Sequence, residues 1–398
     1  MDRWIAKADV ARVALFLAAA SIAQAQQVLV VGFGQPYSDV QSAINAASSG
    51  DIILVKPPGT FYAGVTITGK SVTIIGDSTG PDGILIHSSV ITGITATQSV
   101  LLRNITFEGL TISNSQGPVW VENCYMTPLQ FMSYGWGPSI TITSSGSVGL
   151  VSCVIQGPME IMGTNHAAQI SNSTVTAWKT IFRGGLGPPF NMATTYHGGH
   201  GCVCTSSTLF ANGCTFSGGN GGMLNGSISG NFPGENGGDG IHGNPILLDC
   251  FVTAGLGSMG TSGLGLNGQP IVGTPTVITD QSRSFSATSP VREGQICNMV
   301  AKGHAWEICS VIYSQTQITK SPYLAFDGFF LIDPLTSVVL ASAQLFTNGP
   351  YTFQVPVPNM PASIMGANVF LQSVFYDGGL TYVSIQPPSA VTVLDSSL

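Results

Sequence analysis

Residues able to do chemistry gather in three glycine-rich stretches of this sequence. The first carries Phe131, Tyr134 and Trp136. The second, from about Ala177 to Gly201, carries Trp178, Lys179, Arg183, Phe190, Tyr196, His197 and His200. The third, Ser217 to Gly240, carries Glu235 and Asp239, with His242 just beyond. Aromatic faces offer a sugar ring broad apolar area with a polar edge. Basic residues suit the carboxylates of uronate sugars, and arginine can grip two oxygens at once. Phe131, Tyr134, Trp136, Trp178 and Tyr196 are therefore the expected substrate-binding residues, and a polysaccharide or cell-surface glycan is the expected partner. Lyase chemistry on an acidic glycan needs a base to remove the proton beside a carboxylate and a cation to stabilise the resulting charge. Lys179, Arg183 and His200 are the candidate catalytic groups, and Glu235 and Asp239 the candidate oxygen ligands for Ca²⁺.

Each of these residues also has a purely structural reading. Asp239 stands among glycines, where a short acceptor side chain favours a turn. His200 acts as an acid or base only if a partner is placed beside it. Gly234 to His242 is one mismatch from a nonapeptide Ca²⁺ repeat, in a single copy. The balance favours a non-catalytic binding, structural or adhesive protein, with a polysaccharide lyase as the alternative.

The elements that must position these residues come from repeats. Six segments share a β-rich run, a residue tolerant of left-handed backbone, and a small or apolar residue. They run through Asn104-Ile105, Asn123-Cys124, Ser152-Cys153, Asn172-Ser173, Gly213-Cys214 and Asp249-Cys250. A unit of about 20 residues, sometimes carrying an insertion, predicts a β-solenoid with a bend at each of these corners. Cys124, Cys153, Cys214 and Cys250 share one repeat slot and are expected to stack as buried thiols. Cys297 and Cys309 are the better disulfide candidates. His197 to Cys204 has the residue types of a metal cluster, but Cys202 and Cys204 alternate on one strand face, which points them at the core. Ser38-Asp-Val-Gln41 predicts a capping box opening a helix that covers the first coil and ends at Gly50.

Residues 37–77 make a resemblance specific. Ser38-Asp-Val-Gln-Ser-Ala-Ile-Asn-Ala-Ala47, Gly50-Asp-Ile-Ile-Leu-Val55, Pro58-Gly-Thr-Phe-Tyr62 and Ser71-Val-Thr-Ile-Ile-Gly-Asp77 resemble the opening of right-handed parallel β-helix proteins. These form the pectin-lyase-like group, which includes pectinesterases and pectate lyases. The resemblance extends to about residue 275 and implies the fold. It does not select an activity, because the group spans lyases, hydrolases, esterases and non-enzymes. Gly199-His200-Gly201 is similar to a polygalacturonase motif, without the paired aspartates that accompany it, and later pectinesterase signatures are missing.

The expected organisation is all-β: residues 1–25 a signal peptide, 26–275 a right-handed parallel β-helix with an N-terminal capping helix, and 276–398 a small β-sandwich. Arg3, Lys7 and Arg12 precede the apolar run Val13–Ala20, and Ala23-Gln-Ala25 supplies a cleavage signal. The run is too short to span a bilayer, and no later segment qualifies, so the mature chain is expected to be exported, to the cell surface or beyond, without a transmembrane segment. From Thr276, short β-rich runs at 307–313, 326–332, 351–357, 368–375 and 391–394 predict the sandwich. Pro290-Val-Arg-Glu-Gly294 and Val369-Phe-Leu-Gln-Ser373 resemble a C-terminal module of such secreted proteins, expected to cover the far end of the solenoid. Composition agrees. Only 8% of the 398 residues are charged, and 50 are glycine. Twelve Lys and Arg, three of them in the leader, cannot build the basic patch that nucleic acid requires. A hydrophobic fraction of 44% is enough for a core.

Overall fold

The computed structural model describes residues 26–57, 61–78, 83–128, 137–159, 166–187, 197–222, 234–260, 262–314, 332, 337–361, 364–380 and 382–398. The leader and Phe131, Tyr134, Trp136, Phe190 and Tyr196 lie outside them. Among the described residues, no helix is long and apolar enough to cross a membrane.

Up to Ile278 the strands stack into three long parallel sheets of ten, eight and seven strands, a β-helix-like solenoid. Alternation along each short strand sends every second side chain inward. Val72, Val100, Val119, Val148, Val175 and Leu209 are register neighbours on successive coils and form one inward row of the ten-stranded sheet. Each is at most 1% exposed, which fills the narrow core with branched side chains suited to strands.

Two corners per coil depend on left-handed backbone. At one, Asn104, Asn123, Ser152, Lys179, Gly213 and Asp249 all have φ between 45° and 60°. The next residue fills the slot of Ile105, Cys124, Cys153, Thr180, Cys214 and Cys250. The Cys153 thiol reaches the carbonyls of Val121 and Val151, and Thr180 Oγ1 reaches those of Leu150 and Trp178, so from Cys124 onward the slot holds a small donor. At the other corner Asn114, Ser144, Asn172 and Ser206 are left-handed. There the hydroxyls of Ser145, Ser173 and Ser207 accept from the backbone N–H of Ser115, Ser145 and Ser173 on the preceding coil. Asn172-Ser173 therefore belongs to the serine corner and not to the cysteine corner. Both corners read as a left-handed residue followed by a small one, which aliases the repeat by one strand of the coil.

The helix Val40–Ala46 buries Val40, Ala43 and Ile44 over the first coil, as its pattern predicts. Its N-cap is Asp39, one residue later than expected, accepting from Ser42 N at 2.8 Å. Gln41 is drawn instead to the backbone of Thr66. The helix stops at Ala46, short of Gly50, and Lys70 Nζ donates to the carbonyls of Ile44 at 2.8 Å and Ala47 at 2.7 Å. A cation there complements the negative end of the helix.

Beyond Thr276–Ile278, sheets of three and five strands, paired mostly antiparallel, share one apolar core. Among the described residues, this unit does not pack on the far end of the solenoid, where it was expected. It lies along the outer face of the ten-stranded sheet. There the outward residues Leu101, Trp120, Val151, Trp178 and Phe210 pack with Ile312, Phe370 and Ala390. The strand Val383–Leu394 crosses the coils: Gln386 meets Asn212, Ala390 meets Glu122, and Leu394 packs on Val28 and Ile52. Eight extended residues cover about 26 Å, close to the roughly 29 Å of six coil spacings, so the crossing is nearly perpendicular. A buried pair pins it. Arg103 and Glu122 meet at 2.9 Å with side chains 8% and 6% exposed. Glu122 accepts from Ser389 Oγ and Ala390 N, and Arg103 donates to the carbonyls of Ala390 and Ala287. Cys297 and Cys309 are both free and buried, in different sheets, so the expected disulfide is absent. Burial raises Cys297 to about 11 and Cys309 to about 12, which keeps both as thiols.

Candidate functional site: a glycine platform carrying histidine and acid

The insertions all leave the solenoid between the seven-stranded and eight-stranded sheets. Their stems carry four copies of one pattern: Gly184-Gly-Leu-Gly187, Gly198-Gly-His-Gly201, Gly218-Gly-Asn-Gly221 and Gly237-Gly-Asp-Gly240. The stems are neither helix nor strand, and a pattern with a side chain at every third residue suits a polyproline-II-type chain. Such a chain makes no internal hydrogen bonds, so its polar backbone must find partners sideways. The stems supply them to one another. A run of bonds passes from Gly268 N to Gly255 O, Gly255 N to Gly238 O, Gly238 N to Gly219 O, Gly219 N to Gly199 O and Gly199 N to Gly185 O, each of 2.8–3.0 Å.

Only glycine permits this spacing. A Cβ on Gly219 would lie 1.9 Å from Gly185 O, one on Gly184 1.9 Å from Gly199 O, and one on Gly238 2.0 Å from Gly199 O. The hydrogen held there instead points at the carbonyl, in a Cα–H···O contact. The insertions thus stand on a close-packed sheet of backbone rather than on a loose fringe.

Every third stem position is free to carry a side chain, and there stand Leu186, His200, Asn220 and Asp239. Several of these side chains satisfy backbone N–H groups one coil on. His166 Nδ1 accepts from His200 N at 3.1 Å, His200 Nδ1 from Asp239 N at 2.8 Å, and Asp239 Oδ1 from Gln269 N at 2.8 Å. His197 Nδ1 and Asn220 Oδ1 do the same for Asn236 and Leu256. An imidazole that accepts at Nδ1 carries its proton on Nε2 and is neutral. Burial depresses His166 to about 4, helped by His200 and His242 and opposed by Asp239. It depresses His200 in the same direction, with Asp239 opposing and His242 adding.

His200, Asp239 and His242 offer ligand atoms within 4.8 Å of one another, the only such group of three among the described residues. Glu235 is not part of it; its Oε2 lies 3.4 Å from His197 Nδ1. Lys179 sits at the left-handed corner on the other side of the strand Ile181–Arg183, about 16 Å of chain from the first stem. Desolvation lowers its pKa, and Lys302 of the C-terminal unit lowers it further. Arg183 is exposed at the foot of the first stem. The structure therefore brings His200 and Asp239 together and leaves Lys179 apart. Trp178 is withdrawn from any glycan surface, being fully buried beneath the C-terminal unit. Cys202 and Cys204 face the core with their sulfurs 3.5 Å apart, and Cys202 is held well above the usual thiol range by its bond to Cys204 and by burial, so neither joins His197 and His200 as a ligand. The role of His166 was missed in the sequence. The signal for the platform was present as the fourfold Gly-Gly-x-Gly.

No protein-family model and no curated protein matches this chain. Among solved structures, the crystal structure of Escherichia coli ybhc is similar over 63% of this chain and 86% of that one, at 11% identity and a TM-score of 0.27. A score that low carries no argument about fold or function.

Proposed function

We propose that the chain is an exported, non-catalytic glycan-binding protein of the cell surface or extracellular space. In this reading it is a right-handed parallel β-helix of the pectin-lyase-like kind with a β-sandwich attached. The observation that carries the reading is the glycine platform. A rigid layer of hydrogen-bonded stems presents successive insertions side by side, and recognition residues are most effective on loops held by a rigid scaffold. Tyr196 supplies an aromatic face on an insertion that these stems carry, Phe131, Tyr134 and Trp136 supply others on the insertion of an earlier coil, and Arg183 at the foot of the first stem supplies a grip for a uronate carboxylate.

Affinity gel electrophoresis against a panel of neutral and uronate glycans tests the reading. Retardation by one glycan class is expected, weakened when Tyr134 and Trp136 become alanine. No retardation by any glycan would leave a structural or adhesive role. The same panel, followed in the ultraviolet for unsaturated products with and without Ca²⁺, tests the lyase alternative. Product formation would replace the binding reading with an enzymatic one.

A further inference from the structure

Four of the six histidines in this chain, His166, His197, His200 and His242, stand on the stems of the platform or at their ends. We propose that His200, Asp239 and His242 form a binding site for a divalent transition-metal ion of the Zn²⁺ or Ni²⁺ class. The site is independent of the glycan reading and differs from the Ca²⁺ site expected of Glu235 and Asp239.

The geometry carries the proposal. Asp239 Oδ2 lies 3.3 Å from His200 Nδ1 and 3.8 Å from His242 Nδ1. Ligand atoms at these separations can share an ion with bonds of about 2.0–2.2 Å in a tetrahedral arrangement. Asp239 can give Oδ2 to an ion because Oδ1 is the atom that accepts from Gln269 N. His242 has a side chain 52% exposed and leaves the site open to entry from solvent, while His200 and Asp239 are 27% and 16% exposed. His166 stacks on His200 with ring centroids 4.6 Å apart and planes 23° apart, which holds the ring in place.

Donor chemistry selects the ion. Two imidazoles and one carboxylate suit zinc, nickel or copper, whereas Ca²⁺ takes six to eight oxygens. Three protein ligands leave a position open to water or to an added ligand. The ion takes from His200 the lone pair that now accepts the Asp239 N–H, so binding competes with that side-chain bond and leaves the glycine ladder in place. The ligands come from neighbouring coils, His200 from one and Asp239 with His242 from the next, so the ion also clips the two together.

The test uses the mature chain without a histidine tag, stripped with a chelator, and titrates ZnCl₂, NiCl₂ and CaCl₂ separately by calorimetry. One equivalent of zinc or nickel is expected, with a rise in melting temperature and no calcium binding. His242→Ala, at an exposed position, and Asp239→Asn, which keeps the acceptor for Gln269, are each expected to weaken binding about tenfold or more with the apo fold intact by circular dichroism. His304→Ala, in the C-terminal unit, should leave it unchanged. Absence of zinc and nickel binding overturns the proposal, as does binding that both ligand variants retain or calcium bound as tightly as zinc. Glycan retardation plays no part in any of these outcomes.

Discussion

Replacing Gly219 with alanine is the sharpest test of the platform. The new Cβ would sit 1.9 Å from Gly185 O and 2.6 Å from its carbonyl carbon, where ordinary contact begins near 3.4 Å. Two stems must therefore part by roughly 1.5 Å, and backbone on both sides leaves no flexible side chain to yield. Gly219 donates to Gly199 O at 2.8 Å and accepts from Gly238 N at 2.8 Å. Losing both bonds costs about 1 kcal/mol each, and forced overpacking adds about 1–3 kcal/mol. The stiffer unfolded chain returns about 0.4–1 kcal/mol. The expected net loss is on the order of 2–4 kcal/mol. Hydrogen exchange locates it: the amides of Gly238 and Gly255 should lose protection by about a hundredfold, since 1.4 kcal/mol is tenfold. Thermal melting should fall by several degrees. Gly137→Ala, at a position with open space around it, should melt at or slightly above the parent. Unchanged protection at Gly238 and Gly255 in Gly219→Ala would refute the close-packed backbone layer.

The remaining expectations concern pH and the seam between the units. His166 has a folded pKa of about 4 against an ordinary 6.5, so the unfolded chain takes up its proton first. Its contribution to stability is full above pH 6.5, falls as pH drops, and is gone below about 4, with a ceiling of roughly 3 kcal/mol before discounting for partial exposure. Urea midpoints from pH 7.5 to 4.5 should drop less in His166→Asn than in the parent, and parallel curves would remove His166 as the cause. Glu122→Ala leaves the Arg103 guanidinium buried without its carboxylate and should cost about 3–5 kcal/mol. The C-terminal unit should then become the first part cleaved in limited proteolysis; an unaltered order of cleavage would contradict the docking. Trp178→Ala should cost about 3–5 kcal/mol in urea unfolding while leaving glycan retardation of the folded protein unchanged. Lost retardation with parental stability would return Trp178 to the binding surface.

Local periodicity carried most of the solenoid. Period-two strands, left-handed corner residues and the apolar face of Val40, Ala43 and Ile44 are short-range patterns, and each is visible without a partner. The phase of the fourth repeat was not, because Asn172-Ser173 and Lys179-Thr180 both satisfy the steric needs of a tight corner. The helix cap moved one residue because Asp39, as well as Ser38, can accept a hydrogen bond, and Thr66 competes for Gln41. Trp178 was misplaced for a related reason: an outward aromatic on a strand looks the same whether it faces solvent or another unit.

The platform shows where the two kinds of information meet. Sequence alone determined that glycine would recur as Gly-Gly-x-Gly and that charge would be scarce, with His200 and Asp239 at equivalent places in their motifs. Tertiary structure decided what those places do. Stacking at coil spacing sets glycine against glycine across stems 13 or more residues apart, turns the histidines into acceptors for the next coil, and brings His200 to Asp239 and His242. It also decided that the C-terminal unit lies along the solenoid's flank. Those outcomes depend on register between distant segments, and register is a property of the assembled stack that no single repeat contains.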